Sequence, residues 1–295
     1  MADKMRNNYL TTTEVSQPFL NTKYQMCENF YFDRLARNGI VSVTNGHYHN
    51  MFEIYFLVSG CCTYFIENKL YDVEAGDLVL VPKGAIHKTI YTNKPTDRYL
   101  VNFTKEFIIP PIAADACKIF SKHIYRPAPE HIKRITEIFE KFAHESKHSD
   151  QFSTLLLQGS MTELLTLILR YPSAASEGYD KVNFPIENVT QYITQHFRDN
   201  ITLPEMAKQS ALSESYFSRL FKTTTGFGFK EYLTIIRLKE AQSLLLHTDN
   251  SICNIAYECG FNDSNYFSSV FKELNGMSPL KYRKQHRTKI PKSKK

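Results

Sequence analysis

The chain has 295 residues, 42% hydrophobic and 22% charged, which excludes a disordered chain and gives a prior of about two domains. The longest apolar stretch, Phe52 to Ile66, carries Glu53 and falls short of the roughly 18–20 residues of a spanning helix, so no membrane partner is expected. The net charge of +6 lies wholly in residues 184–295, which hold 16 Lys+Arg and 10 Asp+Glu, and this asymmetry points to a polyanionic partner for that part.

The first residues, MADKMRNNYLTTTEVS, include no apolar core of a secretory signal. Residues 1–23 are read as an N-terminal arm. Six cysteines (27, 61, 62, 117, 253, 259) contain no CxxC pair, so reduced thiols in a cytoplasmic protein are the simplest account. From 24 to 110 the pattern is strand-like. The runs GIVSVT, FEIYFLVS, CTYFIE, DLVLVP, HKTIY and RYLVNF are punctuated by turn residues at intervals of about ten, as in a small antiparallel sandwich or barrel. Alternation places Glu53, Tyr55 and Leu57 on one face of a strand and Phe52, Ile54, Phe56 and Val58 on the other. One face builds core; the other is a candidate aromatic platform for a sugar ring.

Helical spacing follows over 111–171. Ile132, Ile135, Phe139 and Phe142 form one stripe, and Phe152, Leu155, Leu156, Gly159, Leu164 and Ile168 a second, wider one. Such width is read as a dimerisation segment, with simple capping of the barrel as the alternative. Residues 172–183, containing PSAASEGYDKV, read as a linker.

The last hundred residues contain a repeat. Met206-Ala207 corresponds to Ile255-Ala256, Ala211-Leu212 to Gly260-Phe261, Tyr216-Phe217 to Tyr266-Phe267, Phe221-Lys222 to Phe271-Lys272, and Gly226 to Gly276. Each copy reads as a helix-turn-helix. Thr202 with Glu205 makes a capping box, Ala211 or Gly260 sits in the turn, Ser213 or Asn262 caps the second helix, and Gly226 or Gly276 stops it. Between the copies, Gly228 to His247 is expected to form a helix of about 28 Å, which would hold two reading helices near the ~34 Å repeat of a DNA duplex. A helical protein-interaction bundle is the alternative reading.

Arg237-Leu238, Ala241, Ile252, Ile255-Ala256, Gly260-Phe261, Tyr266-Phe267, Phe271-Lys272, Gly276-Met-Ser-Pro279 and Tyr282-Arg283 make residues 184–285 resemble the C-terminal domain of AraC/XylS-type transcription regulators. The expected fold is therefore an N-terminal all-β cupin-like barrel with appended α-helices and a C-terminal all-α domain (184–287) of two helix-turn-helix units joined by a long helix, with a basic tail at 288–295. The resemblance implies double-stranded promoter DNA as a partner. It places base reading on Ser215, Ser218 and Arg219 in the first unit and on Ser264, Asn265, Ser268 and Ser269 in the second, with Lys222 and Lys272 for phosphate. Arg219 suits guanine and Asn265 adenine. Family members often carry Arg at the position of Ser269, so the second unit is expected to position more than to read.

His47-Tyr-His49, Glu53 and Gly60, then Gly76, Pro82, Gly84 and His87, resemble the two motifs of the cupin barrel, with Tyr91 where the second motif usually ends in Asn. The resemblance implies His47, His49, Glu53 and His87 as ligands of a divalent metal. The same residues, with Tyr55, equally suit a metal-free effector pocket or a structural hydrogen-bond cluster. No cofactor is required by this reading. The function expected is that of a dimeric, effector-controlled transcription regulator, commonly an activator working with RNA polymerase, with a sugar as the favoured effector. The alternatives are a metal-dependent cupin enzyme fused to a DNA-binding module and an effector-independent regulator.

Overall fold

The structure, a computed structural model, is described for residues 25–27, 29–37, 46–92, 94–173 and 185–287. The expected arm, the GIVSVT run, most of the linker and the basic tail lie outside these residues. Two compact units are present, one holding the described residues up to 173 and the other those from 185 onward.

In the first unit, β1 (Gln25–Cys27), β2 (Phe30–Arg37), β8 (Thr96–Phe103), β3 (Phe52–Ser59), β6 (Leu78–Val81) and β9 (Ile124–Tyr125) form a six-stranded sheet in the order β1-β2-β8-β3-β6-β9. A second sheet contains β5 (Lys69–Glu74), β4 (Cys61–Ile66) and β7 (His87–Tyr91), in the order β5-β4-β7. Every pairing is antiparallel. The sequence runs missed β2 and β5 because each mixes charge with apolar residues: Asp33 and Arg37 share a face of β2, and most of β5 is only half-buried. The barrel also does not end at residue 110. β9 pairs with β6 from beyond the expected boundary, and a strand of two residues is too short to carry a period.

The two faces of β3 have different fates. Tyr55 and Leu57 join Cys62, Tyr64, Ile66, Val73, Val79 and Val81 in an apolar cluster between the sheets. Phe52, Ile54 and Phe56 point the other way, into a larger core shared with the helices α1 (Pro110–Ala113), α2 (Ala116–Phe120), α3 (Pro129–Lys147) and α4 (Ser153–Arg170). Phe139 of α3 stacks on Phe56 at 5.0 Å and on Tyr99 at 5.4 Å, and Phe142 lies 5.6 Å from Phe30. This outer face is therefore helix-covered core and offers no platform to a sugar. Burial of each such ring contributes about 1.5–3 kcal/mol.

The α4 stripe splits in two. Leu157, Met161, Leu164, Leu165 and Leu167 are buried, whereas Phe152, Leu155 and Leu156 remain 56%, 66% and 54% exposed. Gly159 is exposed beside them. The inward side caps the barrel, as the alternative reading had it, and a separate apolar strip faces outward.

The second unit is wholly helical among its described residues: α5 (Pro185–His196), α6 (Leu203–Gln209), α7 (Glu214–Thr225), α8 (Phe229–His247), α9 (Ile252–Glu258), α10 (Ser264–Asn275) and α11 (Pro279–His286). The Glu205 carboxylate accepts from the Thr202 N–H at 3.1 Å and from its hydroxyl at 2.8 Å, which fixes the start of α6. Ser213 caps α7 as read. The cap of α10 is Asp263 rather than Asn262: its Oδ1 accepts from the backbone N–H of Asn265 at 2.6 Å and of Tyr266 at 3.0 Å. Asp and Asn are near-equal caps, and an ionised side chain gains further from the helix dipole. Gly226 and Gly276 end α7 and α10 with φ of 84° and 70°, the left-handed region that glycine enters freely.

Two arginines brace the loops ahead of the two motifs. Arg237 of α8 donates from Nε to Phe197 O at 2.7 Å and from Nη2 to Asp199 O at 2.8 Å. Arg283 of α11 does the same for Leu245 O and Asn250 O, at 3.3 and 2.5 Å. Each satisfies carbonyl groups in the last turn of a preceding helix or just beyond it. Arg237 and Arg283 thus have a structural role rather than a place on a reading face.

Candidate effector site and nucleic-acid interface

In the barrel, β-sheet register gathers residues far apart in sequence. Glu53 of β3 pairs with Asn102 of β8, so both side chains leave the same face of neighbouring strands. Asn102 Nδ2 donates to Glu53 Oε2 at 3.0 Å, and Tyr64 OH, from the opposite sheet, donates to Oε1 at 3.1 Å. His87 opens β7, and its backbone exchanges two hydrogen bonds with that of His47, at 3.0 and 2.9 Å. His49 lies four residues before Glu53, with its Nε2 3.2 Å from Oε2. The structure thus brings His47, His49, Glu53 and His87 together, with one candidate ligand atom from each and all four atoms within 4.8 Å of one another.

Proton positions follow from the partners. His49 Nδ1 lies 3.0 Å from Met51 O and His87 Nδ1 2.9 Å from Ala85 O; carbonyl oxygens only accept, so both Nδ1 atoms donate. In the neutral ring this leaves a lone pair on each Nε2. Both Nε2 atoms approach Glu53 Oε2, at 3.2 Å from His49 and 3.6 Å from His87, and the His49 lone pair also accepts from Asn102 Nδ2 at 3.2 Å. The His87 lone pair, facing a carboxylate oxygen, needs a cation or a proton between the two. His87 Nε2 is buried and has no hydrogen-bond partner among the described residues. Burial pushes the Glu53 carboxyl up, but His87 and His49 outweigh it and hold it well below the usual carboxylate range.

This donor set fits a divalent transition ion. Three imidazoles and a carboxylate are suitable ligands, and a main-chain carbonyl behind an imidazole is the usual outer partner that orients it. Tyr55 stands apart from this group. It is fully buried, its OH lies 3.7 Å from Cys62 Sγ, and its ring is 5.1 Å from that of Tyr64. Asn102 and Tyr64 were not among the residues singled out for the site; their link to Glu53 exists only through strand register and sheet stacking.

In the helical unit, Ser215, Ser218, Arg219 and Lys222 recur at i, i+3, i+4 and i+7 along α7, and all four are exposed. The other side of α7 buries Phe217 and Phe221. On α10, Asn265, Ser268, Ser269 and Lys272 repeat that spacing, with Asn265, Ser269 and Lys272 exposed and Ser264 and Ser268 half-buried. Two further side chains join these faces: Tyr216 and Tyr266, each the first residue of a Tyr-Phe pair, are 49% and 55% exposed. Their partners Phe217 and Phe267 are fully buried, which makes the tyrosines surface groups rather than core. Among the described residues, no helix is long and apolar enough to cross a membrane.

A barrel enclosing polar side chains, on the same chain as two helix-turn-helix units with solvent-facing second helices, defines a one-chain transcription regulator. The comparisons agree. Residues 29–165 match the AraC-like ligand binding domain and residues 206–285 a helix-turn-helix domain. The chain is 26% identical to the HTH-type transcriptional activator RhaR of Mannheimia succiniciproducens, over 88% of this chain and 96% of that protein. It is 28% identical to the lactose operon transcription activator of Staphylococcus xylosus, over 84% of this chain and 91% of that one. Among solved structures, it is similar to the C-terminal domain of AraT, a response regulator from Geobacillus stearothermophilus, with 34% identity, a TM-score of 0.36, and coverage of 38% of this chain and 93% of that domain. The chain belongs to the AraC family of transcription regulators, with an effector-binding domain and a DNA-binding helix-turn-helix domain.

Proposed function

We propose that the protein is a sugar-responsive transcription activator whose effector enters the barrel beside His47, His49, Glu53 and His87. The observation that supports this most is the polar cluster itself: hydrogen-bonding groups from β3, β4, β7 and β8 converge on one place inside the barrel. The name of one relative, a lactose operon activator, favours a sugar over other metabolites. Effector binding changes promoter occupancy only if it favours one arrangement of the chain over another. The test is operator binding by the full chain across a panel of sugars. One sugar class is expected to shift the apparent Kd about five-fold or more, as for typical couplings; an operator affinity that no sugar alters would favour the effector-independent alternative. This reading places the protein in the cytoplasm, with its promoter DNA and RNA polymerase.

A divalent metal at the four side chains is favoured by one specific observation, the buried Nε2 of His87 facing Glu53 without a partner. When bound, the ion would supply a Lewis-acid anchor for effector oxygens. His47, His49, Glu53 and His87 would hold it, and Asn102 and Tyr64 would keep the carboxylate oriented. In this reading the cluster serves binding rather than turnover. Elemental analysis of the purified chain is expected to find about one transition-metal ion per chain, lost in the His87→Ala variant. Metal-free wild-type protein would assign the cluster to direct effector contact.

The outward strip of Phe152, Leu155, Leu156 and Gly159 is read as the dimer contact. Because Leu155 and Leu156 are exposed in the monomer, replacing both with Glu leaves the core intact. Light scattering is expected to report a dimer for the natural chain and a monomer for this variant.

A further inference from the structure

We propose that the barrel contains a second polar subsite, built on Arg98 and Arg37, which binds the carboxylate of an acidic small molecule. This inference rests on the barrel being the effector site, and it names the chemical class of the effector: a sugar acid rather than a neutral sugar.

Arg98 lies in β8, opposite Leu35 of β2 and Leu57 of β3. Four residues from Asn102 on the same strand, it leaves the same inner face. Only 7% of it is exposed. Its Nη2 reaches Asp33 Oδ2 at 2.8 Å, but its Nε and Nη1 are buried with no hydrogen-bond partner among the described residues. Arg37 follows Asp33 by four residues on β2, so it shares the face. Its guanidinium lies 4.4 Å from the Tyr91 ring centre, and its Nε is likewise buried and unpartnered. Tyr55 adds a second aromatic wall, 5.9 Å from the Arg98 guanidinium.

Buried polar groups in folded proteins are almost always hydrogen-bonded, so each exception needs an explanation. Five buried side-chain atoms lack a partner among the described residues, and three of them belong to Arg37 and Arg98. A fourth is His87 Nε2 of the polar cluster. The fifth is Ser146 Oγ on α3; the other four face the barrel interior, at two places. These are the rows Glu53–Asn102 and Leu57–Arg98, four residues or about 13 Å apart along β3.

The identity of the missing group follows from the donors. A guanidinium has only N–H groups to offer; among the described residues the ion pair of Arg98 is with Asp33, and three nitrogens of the two arginines lack an acceptor. Burying such charge is unfavourable unless an opposite charge is supplied. A sugar hydroxyl brings a proton that has no acceptor on either arginine. A carboxylate brings up to four acceptor positions, no proton and the compensating charge. Tyr91, which stands where the cupin motif usually has Asn, is in this reading the aromatic base beneath Arg37 rather than a lost ligand.

The test is calorimetric titration of the full chain with D-galacturonate and D-gluconate, against D-galactose and D-glucose, with D-glucose 6-phosphate as the phosphate arm. Two variants accompany it, each checked for folding by circular dichroism: Arg37→Gln, and the pair Asp33→Asn with Arg98→Gln, which removes both charges and leaves neither one buried alone. A sugar acid is expected to bind at least tenfold more tightly than its neutral parent, and about tenfold of that affinity is expected to disappear in either variant. Neutral sugars binding as tightly as their acids, or acid affinity surviving in the folded double variant, would overturn the subsite and leave the sugar-responsive reading standing. Preference for the phosphate ester would overturn the carboxylate assignment. No binding by any of the five compounds would overturn both this inference and the proposed effector class.

Discussion

Replacing Gly260 with alanine is expected to destabilise the helical unit by about 2–5 kcal/mol. Two costs combine. Gly260 has φ of 82°, a left-handed conformation that costs an L-residue about 1–2 kcal/mol. A Cβ at this position would also meet backbone: Arg198 O at 2.8 Å, Arg198 Cα at 2.9 Å and Phe197 O at 3.0 Å. Backbone cannot swing aside as a side-chain tip can, and overpacking of this kind typically adds about 1–3 kcal/mol.

The repeat supplies an internal control. In the first motif the corresponding residue is Ala211, which has φ of 53° and carries a Cβ. Conformation alone therefore does not demand glycine in this turn. What singles out Gly260 is the loop after α5, which presses on the second turn and is itself braced by Arg237. Gly276→Ala is a second control, because φ is 70° there but a Cβ would meet nothing within 4 Å. Urea denaturation is expected to rank the variants Gly260→Ala well below Gly276→Ala, with the natural chain above both. Equal losses in the two variants would show that the contact with Arg198 is not limiting. Against a typical domain stability of 5–15 kcal/mol, the Gly260 variant loses a large fraction of its folded population at moderate temperature.

The same turn shows what could be read from the residues alone. Periodicity and caps identify α6, α7, α8, α9 and α10 because each is a local pattern, complete within one or two turns of chain. The ligand-like cluster was half legible for the same reason. His47, His49 and Glu53 sit within seven residues, and His87 opens a strand in a second local motif. Asn102 and Tyr64 escaped because they meet Glu53 through the register of β3 with β8 and through the stacking of two sheets. Arg98 escaped more completely: it lies in a run read as an ordinary strand, and only burial without hydrogen-bond partners marks it out. In α4 the failure was of another kind. Periodicity finds apolar positions but cannot say which of two adjoining stripes the fold will cover, so it places Leu155 and Leu164 on one face although one is exposed and the other buried.

Arg219→Ala is expected to cost about 1–3 kcal/mol in operator binding, a loss of roughly fivefold to 150-fold, and to relax base preference at one position. The repeat makes this asymmetric. Aligned at 50 residues apart, Ser215, Ser218, Arg219 and Lys222 of α7 superpose on Asn265, Ser268, Ser269 and Lys272 of α10. Two of the four positions are identical, Ser218 with Ser268 and Lys222 with Lys272, and the first pairs Ser215 with Asn265. At the third, α7 has an exposed guanidinium able to engage guanine O6 and N7 together, and α10 has a serine hydroxyl that offers one short-range bond. Sequence discrimination should therefore fall mainly on the half-site contacted by α7. Lys272→Ala should weaken binding to all sequences alike and reduce the slope of log K against log salt by about one, because a phosphate contact carries no base information. Ser269→Ala should change neither property strongly. Binding titrations with both half-sites scrambled in turn distinguish the arrangements. If scrambling the α10 half-site proves as costly as scrambling that of α7, then Asn265 and Tyr266 read bases that Ser269 cannot, and the second helix is a reader in its own right.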